Sequence, residues 1–288
     1  MGDALGAHFE GRSPEGIAQQ YQTPQALIEN PPYGELWYTD DTQMAIGVAE
    51  TLLACGRIEQ EELCRRFADN YANERGYGHG ARVILEAMRD GHDHQALAKT
   101  YFPGGSYGNG AAMRSAPIGL AYRLDLTGLW EQAKLSSLPT HVHPLGIEGA
   151  QLIALAVALA CTSVTFDRAI FLEQLEAAAT HIEYSGPLRR AAAISNRRDL
   201  ALFGNGIAAV DSVVTAIASF SLTPDDYGAT IANSILLGGD TDTIAAMAGA
   251  ISGAYLGKTA IPAHLLAALE DNKKGRTYLS ELATQLLR

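Results

Sequence analysis

Apolar residues recur at spacings of three and four along most of this chain, which is the spacing of one face of an α-helix. Alanine, leucine and other good helix formers fill most of the positions in between. Convincing alternating, strand-like segments are absent, and only a short run at 34–39 is ambiguous. The pattern therefore predicts an all-α protein with helices over residues 41–54, 59–73, 79–89, 110–122, 144–162, 167–182, 206–220, 225–237, 242–256 and 276–287.

Proline and glycine interrupt the pattern between the predicted helices. The breaks lie at Pro31–Pro32, Pro103–Gly105, Pro139, Pro187 and Pro262. No linker, low-complexity tract or repeat of fixed period divides the 288 residues. Since a chain of this length can form one large domain, residues 1–288 are predicted to be a single domain.

The composition, with 47% hydrophobic and 18% charged residues, is that of a globular protein with a large core. The longest apolar run, 150–161, is shorter than a bilayer-spanning helix and predicts a buried helix instead. The chain starts without a basic-then-apolar leader, and its three cysteines, Cys55, Cys64 and Cys161, have neither metal-type nor redox spacing. We therefore expect a cytoplasmic protein with buried, reduced thiols.

The net charge of −11 argues against non-specific binding of nucleic acid through a basic surface. If the substrate is an anionic phosphate ester, its attraction to this protein must be local. Bound metal ions and backbone N–H groups are the expected sources of that attraction.

Two short acidic clusters, Thr39–Thr42 (TDDT) and Asp240–Thr243 (DTDT), each lead into an apolar helical run. Asp and Thr are common helix N-caps, so either cluster taken alone could be a cap. A cap, however, needs one such residue and not four. Carboxylates brought together repel one another unless cations lie between them, and oxygen-only ligands favour Mg²⁺, Mn²⁺ or Ca²⁺. The repeated pattern therefore favours a site for hard cations.

Three glycine-containing loops lie between predicted helices, at 76–80, 104–110 and 204–207. Glycine allows backbone N–H groups to approach a ligand, and a helix start just downstream favours phosphate. None of the loops has the P-loop or dinucleotide-binding spacing. Each one, taken singly, could equally be a helix terminator.

Four other features allow weaker predictions. His141 and His143 could suggest zinc, but no Cys or His partner has a suitable spacing. Arg114, inside a predicted helix, is expected to form a structural ion pair. Trp37, together with the tyrosine that follows it, is expected to pack in the core. Asp3 is expected to orient metal ligands from behind.

Five segments together carry a resemblance to a known family. They are GDALG at 2–6 with Glu10, YTDDTQM at 38–44, GNGAAMR at 108–114, the pair Thr140–His141, and GGDTDTIAAMAG at 238–249. With these segments the chain resembles the ADP-ribosylglycohydrolases, also called the dinitrogenase-reductase-activating glycohydrolase superfamily, almost from end to end. Within that family, the segments GYGHG, GSYGNGAAMR and GNGIAA are similar to the branch that acts on serine-linked ADP-ribose, poly(ADP-ribose) and O-acetyl-ADP-ribose.

The resemblance implies a compact, single-domain orthogonal helical bundle with two Mg²⁺ ions, or Mn²⁺ ions, in a cleft. By motif match, the implied metal ligands are Thr39, Asp40, Asp41, Asp240, Asp242 and Thr243. Glu10 matches the family's mobile acidic residue and is the implied catalytic group, although the GDALG segment starts unusually early, at residue 2. The implied substrate-binding residues are Gly78, Gly105, Ser106, Tyr107, Gly108, Asn109, His141 and Ile207.

The implied activity is hydrolysis of the bond between ribose C1″ and an oxygen of the modified molecule, with release of ADP-ribose. Glu10 would protonate the leaving oxygen or activate the water. The alternatives are an ADP-ribosyl-arginine hydrolase, a non-catalytic ADP-ribose-binding protein and a di-metal phosphohydrolase. The expected partners are ADP-ribosylated proteins or small molecules containing ADP-ribose, with no membrane partner and with a monomeric protein.

Overall fold

The structure is a computed structural model that describes residues 1–32 and 34–288. Its described residues form α-helices, short 3₁₀ helices and two isolated β-bridges, Leu36 with Leu269 and Gly108 with Ala208. The α-helices are Gly2–Gly6 (α1), Pro14–Ala18 (α2), Pro24–Glu29 (α3), Asp40–Cys55 (α4), Gln60–Asn70 (α5), His79–Arg89 (α6), His94–Tyr101 (α7), Ala116–Ala121 (α8), Leu126–Ser137 (α9), Pro144–Thr162 (α10), Arg168–Ala178 (α11), Ile182–Ala191 (α12), Ala209–Leu222 (α13), Tyr227–Ile235 (α14), Thr241–Leu256 (α15), Ala263–Ala268 (α16) and Arg276–Leu286 (α17). The 3₁₀ helices are Ala7–Phe9, Asn73–Arg75, Asn109–Ala111, Arg197–Phe203 and Lys258–Ala260.

The all-α prediction is confirmed, and most of the predicted helices agree with observed ones to within three residues at each end. The prediction of one helix over 167–182 is wrong, because the chain turns extended after α11 and starts again at α12. The buried carboxylate of Glu148 accepts hydrogen bonds there from the backbone N–H groups of Thr180 and His181. A contact from a distant helix thus ends α11, which local propensity does not reveal.

The predicted helix over 110–122 is also wrong at its start, since α8 begins only at Ala116 and has a proline in its first turn. Proline favours the first turn of a helix because it has no N–H to leave unpaired there. Pro187 was predicted as a break but lies inside α12. Gly186 precedes it, and a residue without Cβ relieves the clash that a proline causes. Helix α9 was not among the predicted helices, because Gly128 and two terminal serines weaken its pattern. The short helices α1, α2, α3, α7 and α16, of five to eight residues, were also missed, since they are too short to show a helical period.

Helix α10, over Pro144–Thr162, has 19 residues and a mean hydropathy of 1.7. By length and composition alone it could cross a membrane. The helix is thus longer than the apolar run 150–161 from which it was predicted. Nevertheless, 72% of its 18-residue apolar window is buried, and the helix packs against α8, α9, α13 and α15. The prediction of a buried core helix is therefore confirmed. Its side chains belong to one continuous core with those of the neighbouring helices.

Helix α15 is central, because α1, α10, α13 and α14 all pack on it. Its small residues permit this, and Gly249 leaves room for the hydroxyl of Tyr227. On the other side, α1 lies so close that a Cβ on Gly6 would come within 2.6 Å of the Thr241 carbonyl oxygen. Glycine is therefore required at this contact. This packing places the start of the chain directly against the first turn of α15.

Candidate metal centre and substrate cleft

The first acidic cluster opens α4, with Thr39 as its N-cap. The buried carboxylate of Asp3 in α1 holds this turn from behind. It accepts hydrogen bonds from the backbone N–H of Thr39 at 3.0 Å and of Thr42 at 3.1 Å, and from both threonine hydroxyls. Asp3 thus has the orienting position predicted for it. Asp40 and Asp41, between the two threonines, are left without these bonds.

The second cluster follows a tight turn at Gly238 and Gly239, which have φ angles of +68° and +74°. A Cβ at either position would be strained by these angles and would collide with neighbouring backbone. The turn pairs with the segment that carries Glu10: Gly11 N–H donates to the Gly239 carbonyl at 2.8 Å, and Gly239 N–H donates to the Arg12 carbonyl at 3.0 Å. Two glycines therefore bring Glu10 alongside the cluster.

The two clusters meet where α4 begins beside α15. The Thr243 hydroxyl donates to the Asp41 carboxylate at 3.3 Å. Oxygen atoms of Glu10, Asp240 and Asp242 all lie within 4.8 Å of one another. Residues separated by about two hundred positions thus form one group, as the sequence predicted.

Burial and mutual repulsion make the charged forms of these acids unfavourable and raise their pKa values. Burial, followed by the charge of Asp3, raises the pKa of Asp40 to about 7. Burial, followed by the charges of Asp240 and Glu10, raises the pKa of Asp242 to about 9. Burial and then the charge of Asp240 raise the pKa of Glu10. Asp240 is less isolated, since the Asn109 amide donates to it at 2.5 Å.

The donor chemistry fits hard divalent cations. One oxygen of Asp41 and one of Asp242 are buried without any hydrogen-bond partner, a costly state that a cation would relieve. Every candidate ligand atom in the group is a carboxylate or hydroxyl oxygen, the preferred ligand type of Mg²⁺ and Mn²⁺. In the described part of the chain, Glu10, Asp240 and Asp242 form the only such acidic or His/Cys group. A zinc site at His141 and His143 receives no support.

The acids form one wall of a cleft of about 350 Å³, a volume within the usual range for small-molecule sites. Five predicted substrate residues line the cleft: Gly78, Ser106, Asn109, His141 and Ile207. The lining residues that sequence reasoning missed include the apolar side chains of Met44, Ile84, Phe102 and Met113. Apolar residues at helical spacing predict core, so no sequence signal separated these cleft residues from ordinary packing.

Other predicted site residues lie beside the cleft and not on its wall. Gly105 is buried at a φ angle of +89°, where a Cβ would strike the backbone nitrogen of His143 at 2.5 Å. Tyr107 is 56% exposed, and its ring packs edge-on against His143. Gly108 forms the bridge to Ala208. Thr39 does not line the cleft, and its hydroxyl lies 2.8 Å from an Asp3 carboxylate oxygen and 3.2 Å from an Asp41 carboxylate oxygen. Their functional roles stay predictions.

The second and third glycine loops are joined by backbone hydrogen bonds. Asn109 N–H donates to the Ile207 carbonyl at 2.9 Å, and Ala209 N–H donates to the Tyr107 carbonyl at 2.9 Å. Asn205 carries the third loop onward to the metal centre, since its carbonyl accepts from Asp240 N–H at 2.9 Å. Backbone hydrogen bonds therefore connect the two loops to each other and to the acidic wall of the cleft.

Three weaker predictions are wrong. The thiols are not buried as expected: Cys55 is exposed at the end of α4, and Cys64 and Cys161 are half-buried. Trp37 is 53% exposed, while Tyr38 is buried as expected. The guanidinium carbon of Arg75 lies 3.9 Å from the Tyr38 ring centroid and 5.7 Å from that of Trp37. Arg114 is structural but forms no ion pair in the described residues: its partners are carbonyl and hydroxyl oxygens and the ring of Phe67. Burial lowers the pKa of Arg114 to about 10, so it stays charged near neutrality.

Comparison with known proteins supplies a family match. The ADP-ribosylglycohydrolase family model matches residues 1–288. The chain is similar to the ADP-ribosylhydrolase ARH3 of Gallus gallus, with 37% identity over 100% of this chain and 92% of that protein. It is also similar to ARH3 of Homo sapiens, with 35% identity over 91% of this chain and 84% of that protein. A solved ADP-ribosylglycohydrolase-related protein complex matches with a TM-score of 0.73 and 27% identity, over 100% of this chain and 93% of that one.

Proposed function

This chain belongs to the ADP-ribosylglycohydrolase family and is a glycosidase-type hydrolase, and on that premise we propose the reaction that it catalyses. We propose that it cleaves the bond between ribose C1″ of ADP-ribose and an oxygen atom of the modified molecule, in a reaction that depends on two divalent cations, with Mg²⁺ preferred and Mn²⁺ as the alternative. The products are ADP-ribose and the free hydroxyl or acid. The substrates are O-linked: ADP-ribosyl-serine, poly(ADP-ribose) or O-acetyl-ADP-ribose.

One observation carries the proposal: the acids of α4 and α15 converge with Glu10 at one wall of the cleft. Packing alone would not favour five acidic side chains around unpaired buried oxygens. Other parts of the wall are formed by glycine-loop residues without side chains, Gly76, Gly78, Gly80 and Gly110, which let an anionic substrate approach the backbone closely. This supports a site that binds ADP-ribose at one end and acts on its terminal ribose at the other.

The residues proposed to hold the cations are Thr39, Asp40, Asp41, Asp240, Asp242 and Thr243. Cations bound there would hold the ribose diol and act as Lewis acids toward the oxygens at C1″. Asn109 fixes the orientation of Asp240 through its amide. Asp3 fixes the turn that presents Asp40 and Asp41.

Glu10 is proposed to move the proton at the scissile bond. It is exposed at the cleft mouth and still within 4.8 Å of the metal-site carboxylates, so it can face both substrate and solvent. The C1″–O bond breaks, the carboxyl group gives its proton to the departing oxygen, and a water oxygen bonds to C1″. The proton that water loses returns to the carboxylate, which restores Glu10.

The oxygen linkage rests on the ARH3-named relatives and on the segments GYGHG, GSYGNGAAMR and GNGIAA. A nitrogen leaving group, as in ADP-ribosyl-arginine, would use the same metals and the same ribose site but different acid assistance. We further propose that the protein works as a monomer in the cytoplasm, where its three free cysteines would stay reduced.

The test is product chromatography with three substrates: a serine-ADP-ribosylated peptide, an arginine-ADP-ribosylated peptide and O-acetyl-ADP-ribose. Each is incubated with Mg²⁺, with Mn²⁺ and with a chelator. We expect free ADP-ribose from the serine and acetyl substrates only, and none with chelator. Release from the arginine peptide alone would overturn the linkage, whereas release of inorganic phosphate would overturn the reaction class.

A further inference from the structure

The side chain of Arg114 is a buried charge that forms no hydrogen bond with a carboxylate among the described residues. It is completely buried, and its hydrogen bonds go to the Gly110 carbonyl at 3.0 Å, the Ser136 carbonyl at 2.8 Å and the Thr140 hydroxyl oxygen at 2.9 Å. A guanidinium can only donate hydrogen bonds. The Thr140 oxygen must therefore accept from Arg114.

The hydroxyl of Thr140 has one further partner among the described residues, the Nδ1 atom of His141 at 2.7 Å. If Nδ1 carried a proton and donated it, the Thr140 proton would have no recorded acceptor. The consistent arrangement has Thr140 O–H donating to Nδ1. Since Nδ1 then accepts, the proton of a neutral imidazole must lie on Nε2.

The ring of His141 is also held in place by packing. A Cβ on Gly110 would come within 2.9 Å of its Cε1 atom, and a Cβ on Gly108 would come within 3.5 Å of Nε2. The Nε2 atom therefore faces the glycine loop of the cleft. No described protein group accepts a hydrogen bond from it.

We propose that Arg114 and Thr140 are positioning residues: they fix His141 as the Nε2–H tautomer, so that it presents a permanent hydrogen-bond donor to an oxygen of the ligand in the cleft. The ligand part of this inference rests on the proposed function. The tautomer part is a property of the free protein. His141 is thereby assigned to binding and not to proton transfer.

The charge state of the ring supports this assignment. Burial, followed by the nearby charge of Arg114, lowers the pKa of His141 to about 3. The ring therefore stays neutral across the physiological range, and Nε2–H remains a donor at every pH at which an enzyme of this kind would work. A charged imidazolium beside a buried guanidinium would instead repel it.

The first experiment reads the tautomer directly, by long-range ¹H–¹⁵N NMR of ¹⁵N-histidine protein without ligand. The resonance is assigned by its loss in His141→Asn. We expect the Nε2–H pattern in the wild type and in Thr140→Ser, which keeps the hydroxyl, and a mixture of tautomers in Thr140→Val. An Nδ1–H pattern in the wild type, or an unchanged pattern in Thr140→Val, would overturn the proposal.

The second experiment measures binding of free ADP-ribose by calorimetry. Thr140→Val should weaken binding by about 3- to 10-fold, the size of one neutral hydrogen bond, and Thr140→Ser should restore it. Thr230→Val is the matched control, since it removes a buried hydroxyl of α14 that donates to the carbonyl of Thr223, just after α13 and outside the cleft. Equal affinity in Thr140→Val and the wild type would refute the ligand part. Absence of any binding by wild type would count against the proposed function, while the tautomer result would stand separately.

Discussion

The two acidic clusters have nearly the same composition, but they are held by different kinds of hydrogen-bond acceptor. In the first, Thr39 and Thr42 donate hydrogen bonds to the Asp3 carboxylate of α1. In the second, the Thr241 hydroxyl donates to the Gly6 carbonyl of the same helix at 2.8 Å. The second cluster is buried throughout, whereas Asp40 in the first is only partly buried.

The comparison shows that different residues of the repeated motif have different roles. In both clusters, threonine hydroxyls anchor the turn to α1, and the carboxylates between them remain available for a ligand. One anchor is a charged acceptor and the other is a neutral carbonyl. The first cluster should therefore be more sensitive to charge, and the second to the loss of buried packing.

The largest effect is expected from removing a buried ligand of the second cluster, in Asp242→Ala. Loss of a metal-site carboxylate should lower turnover by roughly 1000-fold, since metal catalysis contributes several kcal/mol. It should also abolish the rise in melting temperature that Mg²⁺ causes in the wild type. Calorimetry with and without Mg²⁺ measures this, with the exposed Asp225→Ala as the control. A full Mg²⁺-dependent shift in Asp242→Ala would contradict the site.

Glu10→Gln tests the proposed catalytic acid, which lies outside both clusters. We expect turnover to fall by about 10²–10⁴-fold, because positioned proton transfer contributes that much. ADP-ribose affinity and the Mg²⁺-dependent thermal shift should change little. The control is Glu15→Gln, which alters an exposed acid in α2. Turnover comparable to that of the wild type would exclude the catalytic role of Glu10.

The two anchoring contacts can be compared by neutralising the acceptor of the first, Asp3, and removing the donor of the second, the Thr241 hydroxyl. Asp3→Asn weakens the charged acceptor behind the first cluster and should lower Mg²⁺ affinity by about 10- to 100-fold, as is typical of residues that orient metal ligands. Thr241→Val removes one neutral hydrogen bond and should cost about 1 kcal/mol of unfolding free energy with less effect on Mg²⁺ affinity. Mg²⁺ titrations and denaturant melts of both variants test this. Equal effects on both quantities would remove the distinction between the anchors.

The last comparison changes pH alone, in protein stripped of metal. Burial raises the pKa values of Asp40 to about 7 and of Asp242 to about 9, so the folded state binds more protons than the unfolded state. Its unfolding free energy should therefore fall as the pH rises from about 4 to about 9. Mg²⁺ should remove most of this slope by replacing the protons. Melting temperatures with chelator and with Mg²⁺ measure the difference, and a rising curve with chelator would show that the acids are not strained.

Some wrong predictions have a common physical cause. The split of 167–182 depends on Glu148, which is distant in sequence, and the aromatic pair Trp37 and Tyr38 is contacted by Arg75, which no local pattern near residue 37 indicates. The ion pair predicted for Arg114 was replaced by carbonyl and hydroxyl oxygens. Each of these outcomes was decided by a partner that no local pattern identifies. Helix existence, by contrast, follows local periodicity and was largely predictable.

The sequence by itself determined the helical class, the buried nature of α10 and the two clusters of oxygen ligands, because residue type and short-range spacing carry that information. Only the tertiary structure decided which acids face each other and which apolar side chains line the cleft. Those outcomes depend on Gly6 and the turn at Gly238 and Gly239, where the missing Cβ atoms let α1 and the Glu10 segment approach α15. Close approach of distant backbones is a property of packing, and a linear pattern does not contain it.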